Sequence, residues 1–141
     1  MAPVTDADDN VYIAEGRVVR SFDAAGAKRW SVDLSPPSDP LGVIFGLAID
    51  PNGHLVVTGP LTQLSWLDRG NGLLLHSVPK AADYWVTAPT IGADGSVYFG
   101  GYGGVSAYSS EGVLRWVGFP DVASFRVNEV AIAPGGDLVA A

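Results

Sequence analysis

The chain has 141 residues, 48% of them hydrophobic and 16% charged, with 18 Gly, 10 Pro and no Cys. That length predicts one domain with a buried core, and a turn-rich, charge-poor composition predicts short strands. A net charge of −7 with no basic run argues against phosphate backbones and anionic membranes as partners, and zero cysteines exclude disulfides, thiolate metal sites and Cys nucleophiles.

The first unit covers residues 2–34. Asp6-Ala7-Asp8-Asp9-Asn10 reads as a turn, because Asp and Asn bond their own backbone. Val11-Tyr12-Ile13-Ala14 reads as a strand of β-formers, and Glu15-Gly16 turns the chain. Residues 18–23 form a third strand, Ala24-Ala25-Gly26 a turn, and residues 28–33, with Trp30, a fourth. A short piece at residues 3–5 completes an antiparallel meander. Residues 35–40 carry three prolines and read as a loop between units, since the pattern resumes after them.

The second unit covers residues 45–78. Its strands are Gly46-Leu47-Ala48-Ile49, residues 54–58, 64–68 and 73–78, with the turn Asp50-Pro51-Asn52-Gly53 after the first. His76 stands where Trp is expected. The third unit covers residues 86–119, with strands at 86–91, 96–100, 105–109 and 113–117. A fourth begins at residue 128, with a strand at 129–133, the turn Pro134-Gly135-Gly136 and a second strand from Asp137.

These units are copies of one another. Ala88 to Trp116, moved back 86 positions, falls without a gap on Ala2 to Trp30, and ten of the 29 aligned residues are identical. Leu55 follows Val11 by 44 positions and Val97 follows Leu55 by 42. A four-stranded unit repeating at that period is the signature of a β-propeller blade. The predicted fold is therefore all-β: propeller-type blades of four antiparallel strands, about three and a half of them, in one partial propeller. Closed propellers have about 4–8 blades. Open strand edges predict self-association, and the count predicts a piece of a larger propeller protein.

The repeat resembles the pyrroloquinoline-quinone-like (PQQ-like) propeller family. The residues that carry the resemblance are Asp94-Gly95-Ser96-Val97-Tyr98-Phe99, Ala107-Tyr108-Ser109 and Gly112 through Trp116 in unit three. Unit one matches with Val11-Tyr12-Ile13, Ser21-Phe22-Asp23 and Gly26 through Trp30. Both units lack the Thr of the family pattern. Phe45 through Gly53 also looks like six-bladed NHL-type or lactonase-type propellers. The PQQ-like resemblance implies that Trp30 and Trp116 dock each blade on its neighbour. It also implies a scaffold often found outside the cytoplasm. The residues themselves leave the compartment open: MAPVTDADDN is not a signal peptide, and no run of about 18 apolar residues predicts a span.

Candidate chemistry is sparse. The Asp6 to Asn10 cluster has calcium-loop character but lacks the later Glu and the glycine of an EF-hand, and its repeat equivalents are plain turns. His54 and His76, the only histidines, read as a turn-edge residue and a packing residue. Gly100-Gly101-Tyr102-Gly103-Gly104 lacks phosphate-loop spacing and reads as a hairpin turn. Asn128 and Glu129 match residue types that hold calcium in quinone enzymes of the family, but no matching motif surrounds them, so neither calcium nor quinone is expected as cofactor. Tyr84, Trp85, Phe119 and Phe125 fall in loops between units and are the candidate binding residues, with plugging of gaps between blades as the structural alternative. The expected function is a non-catalytic propeller scaffold that binds protein or carbohydrate. The alternative is part of a propeller enzyme, quinoprotein dehydrogenase-like or lactonase-like, whose site lies mostly in other blades. No catalytic or metal residue is assigned.

Overall fold

One turn, made four times, sets the frame of the computed structural model. The amide of Asp9, Gly53, Gly95 or Gly136 donates to the carbonyl three residues back, at Asp6, Asp50, Gly92 or Ala133. Each of these four residues in turn donates its own amide to Asn10, His54, Ser96 or Asp137. The turn joins the first two strands of every unit, so the four sets of positions are equivalent. The structure describes residues 1–34, 42–59, 63–79, 86–102, 104–118 and 126–141.

The first sheet holds β1 (Val4–Thr5), β2 (Val11–Glu15), β3 (Val18–Phe22) and β4 (Lys28–Asp33). The second holds β5 (Gly46–Ile49), β6 (His54–Gly59), β7 (Gln63–Asp68) and β8 (Leu74–Pro79). The third holds β9 (Thr90–Ile91), β10 (Val97–Gly101), β11 (Gly104–Tyr108) and β12 (Leu114–Gly118), and β13 (Val130–Ile132) pairs with β14 (Leu138–Ala140) in the fourth. Every sheet is an antiparallel meander in chain order. The strand expected at residues 86–91 is interrupted: Val86 makes an isolated bridge to Gly101, and only Thr90 and Ile91 pair as β9.

The first strands β1, β5, β9 and β13 are successive neighbours, which stacks the sheets as blades around them. Apolar alternation then fills the space between blades. Leu55, Val57 and Leu67 point to the first blade and pack with Tyr12, Val19 and Trp30. Val56, Leu64 and Trp66 point the other way and pack with Val97, Phe99 and Tyr108. Val105, Val127 and Val130 fill the next interface. The second blade is thus buried on both faces, which is why β6 is apolar from Leu55 to Val57 without a break.

The third and fourth strands share a second recurring feature. Ser21 pairs with Trp30, Trp66 with His76, and Ala107 with Trp116, and the ladder slips by one residue immediately after each pair. This bulge marks one further pair of equivalent positions in each of the first three blades. The glycine-rich stretch is the β10–β11 hairpin, closed by the Gly101–Gly104 pair, with Gly104 at φ 112°.

Candidate functional site

The side chains with chemical potential lie between blades, at the end where the first–second and third–fourth turns meet. In the first interface, Trp30 is 8% exposed and rests on Tyr12, with ring centroids 5.9 Å apart. Its indole Nε1 donates to the carbonyl of Arg69 in the second blade, at 3.0 Å. Gly72 lies beneath the ring at φ +75°, and a Cβ there would sit 2.6 Å from Trp30 Cε3. Arg29 Nη1 donates to Tyr12 Oη (3.1 Å) and Ser21 Oγ (2.9 Å).

Asp6 anchors this interface. Its side chain is 2% exposed and lies 3.6 Å from Arg69 Nη1. It accepts from Tyr12 Oη (2.8 Å), from Asn10 Nδ2 and from the amides of Asp8 and Asn10. Burial pushes the Asp6 carboxyl up, but these donors outweigh it and hold the group at about 2. Burial and the bond to Asp6 push the Tyr12 phenol up. A carboxyl depressed in the fold stabilises it fully above the unfolded-chain value of about 3.9 and loses that effect as pH falls toward 2. Melting temperature is therefore expected to fall more steeply between about pH 4 and pH 2 in the native chain than in Asp6→Asn. Parallel profiles would contradict this role.

The second interface has the same plan with different side chains. His76 occupies the Trp30 position, and its Nε2 donates to the carbonyl of Glu111 at 2.8 Å. A carbonyl only accepts, so Nε2 carries the proton. Gly112 lies beneath at φ +84°, where a Cβ would sit 2.8 Å from His76 Nε2 and 3.1 Å from Trp66 Cη2. The large ring of this interface therefore comes from β7, as Trp66, where the other blades have Ser21 and Ala107. Trp66 is 2% exposed and lies 5.2 Å from the His76 ring. Among the described residues its Nε1 has no hydrogen-bond partner. Asp50 repeats Asp6 and accepts from His54 Nδ1 (3.1 Å) and the His54 amide (2.8 Å). Both histidines, with Trp66, Leu75, Ser110 and Glu111, line a groove of about 330 Å³.

The third blade repeats the first closely. Tyr98 and Trp116 lie 6.2 Å apart at 43°, against 5.9 Å and 44° for Tyr12 and Trp30. Arg115 Nη1 donates to Ser96 Oγ at 2.8 Å. Trp116, however, is 43% exposed, because the fourth sheet contributes only its two inner strands beside it.

The Asp6 cluster is a braced turn, its carboxylate engaged by donors, and no grouping of three His, Cys, Asp or Glu that would hold a metal occurs among the described residues. Tyr84, Trp85, Phe119 and Phe125 lie outside the described residues. The sequence brought His54 and His76 no closer than 22 positions, whereas folding places both at one groove. Trp66 reads in the sequence as an ordinary apolar strand residue. Its only signal is that it lies across the ladder from His76.

No protein-family model matches this chain, and no curated protein matches it by sequence. Solved structures match it well. The WD40 β-propeller domain of Doa1 aligns with a TM-score of 0.76 at 15% identity over 97% of this chain and 45% of that one. Virginiamycin B lyase from Staphylococcus aureus, crystallised as a catalytically inactive form with quinupristin, aligns at 0.71 and 13% identity over 99% and 54%. BamB from Moraxella catarrhalis aligns at 0.64 and 21% identity over 82% and 34%. The chain spans about half the length of these structures or less. At such identities the likeness shows the fold: these are β-propeller blades, three with four strands and one with two. No helix among the described residues is long and apolar enough to cross a membrane.

Proposed function

We propose that the chain is a non-catalytic β-propeller scaffold of the PQQ-like repeat type. It acts as part of a larger propeller whose inter-unit loops, with Tyr84, Trp85, Phe119 and Phe125, bind protein or carbohydrate. The observation that carries this reading is how the polar side chains are used. Asp6, Asn10, Asp50 and His54 brace turns, and Trp30 and His76 donate to the turn of the next blade. Trp30 and His76, with Asp6 through Arg69, thereby couple one blade to the next, which is a scaffold's work. The Tyr–Trp pair repeated in the first and third blades supports the PQQ-like assignment, and the half-length match to other propellers supports the larger assembly.

In this reading Trp116 is a docking residue that awaits a turn like Arg69 to Gly72. The open edge of β14 beside it favours self-association of the isolated chain. Sedimentation across a wide concentration range tests this, with reversible association expected. A compact monomer at every concentration, unfolding in one cooperative step, would overturn it. Melting in the presence of calcium with pyrroloquinoline quinone tests the scaffold assignment separately. No shift is expected, and a saturable rise would transfer the chain to the propeller enzymes.

A further inference from the structure

We propose that the groove between the second and third blades binds a guanidinium group. The repeat itself supplies the mould. At the first interface the corresponding space holds the Tyr12 phenol and two guanidinium groups, Arg29 and Arg69, around the Asp6 carboxylate. Along the strands, the second interface has Val56 for Tyr12 and Leu75 for Arg29; in the turn of the next blade, one residue shorter, Ser110 follows Ser109 where Arg69 follows Asp68. Both cations are gone, the aromatic hydroxyl is gone, and the buried carboxylate remains as Asp50. Trp66 refills part of the volume, and the groove of about 330 Å³ is what is left.

The remaining walls favour a planar donor. Asp50 accepts from His54 Nδ1, so in the neutral ring the proton of His54 is on Nδ1 and Nε2 presents a lone pair. His76 donates Nε2–H to the Glu111 carbonyl, so in its neutral ring Nδ1 is likewise an acceptor. An acidic residue, Glu111, and a hydroxyl residue, Ser110, complete the lining. Asp50 acts through His54, since its own side chain is 2% exposed. Acceptors on several sides, imidazole rings and local negative charge suit a guanidinium, whose N–H fork reaches several acceptors at once. Exposed Leu74, Leu75, Val113 and Leu114 on the adjoining strand ends offer an apolar surface to the alkyl chain that carries it. This inference is independent of whether the chain acts as a scaffold.

Proton NMR reads the site directly, because His54 and His76 are the only histidines and both line it. Titration with n-butylguanidinium is expected to move both imidazole signals together and saturably. n-Butylammonium at equal ionic strength lacks the fork and is expected to bind weaker by about one hydrogen bond, roughly five-fold. Ser110→Arg should seat its own guanidinium in the groove, raise the melting temperature and abolish the response to the probe. The peptide acetyl-Leu-Arg-Leu-amide distinguishes the source. Tighter binding than n-butylguanidinium assigns the site to an arginine of a partner peptide, and weaker binding assigns it to a free guanidinium compound. Unmoved histidine signals in a folded sample would overturn the proposal. So would equal binding of the ammonium, or unchanged probe binding in Ser110→Arg.

Discussion

Gly72→Ala is expected to destabilise the chain by about 2–4 kcal/mol. Two effects add at this position. The backbone sits at φ +75°, where an L side chain is strained by about 1 kcal/mol or more. The new methyl would also press within 2.6 Å of the Trp30 indole, and overpacking a filled interface costs about 1–3 kcal/mol. Gly26→Ala separates the two. Gly26 occupies the same turn of the first blade at φ +83°, yet nothing lies within 4 Å of its Cβ position. It should carry the backbone strain alone, about 1 kcal/mol. Urea unfolding of both variants measures the difference. Equal losses would mean that the Trp30 contact does not constrain the turn.

Trp30→Ala is the second large effect, expected at about 3–5 kcal/mol. It removes the ring that fills the first interface and leaves the Arg69 carbonyl without its 3.0 Å donor. Trp116→Ala is the matched control, because Trp116 has the same place in its blade and nearly the same contact with Tyr98. At 43% exposure it has much less to lose, and the expected cost is about 1 kcal/mol. The same unfolding experiment decides. A loss at Trp116 as large as at Trp30 would show that its indole is covered in solution, as association through that face requires.

Much of the fold is legible in the sequence because it rests on local chemistry. The Asp50-Pro51-Asn52-Gly53 and Ala93-Asp94-Gly95 turns, the period of about 43 and the alternating strands between them all declare themselves without tertiary information. The second interface does not. Ser21 and Ala107 precede their Trp partners by nine residues, whereas Trp66 precedes His76 by ten. Only the register reveals that Trp66 and His76 are one pair, because the turn from Asp68 to Gly72 holds one residue more than the turns from Asp23 to Gly26 and Ser109 to Gly112. Asp50 and His54 look like turn residues and are turn residues. The place of His54 at a groove follows from what the neighbouring positions lack: the phenol of Tyr12, the guanidinium groups of Arg29 and Arg69, and a full-sized ring in β8. A site made by subtraction leaves no motif.

The paired positions on the third and fourth strands also constrain how blades of this kind can diverge. One member of the pair carries the ring that meets the next blade, and its partner is small or, in the second blade, an imidazole. Moving the ring from the fourth strand to the third takes two substitutions, and the order matters. If the fourth-strand Trp is lost first, the intermediate holds a cavity worth about 3–5 kcal/mol. If the third-strand Trp is gained first, the intermediate is overpacked by about 1–3 kcal/mol. A chain with a few kcal/mol to spare tolerates the second route more readily than the first. In the second blade the ring stands on β7, and His76 supplies the N–H that Trp30 supplies in the first.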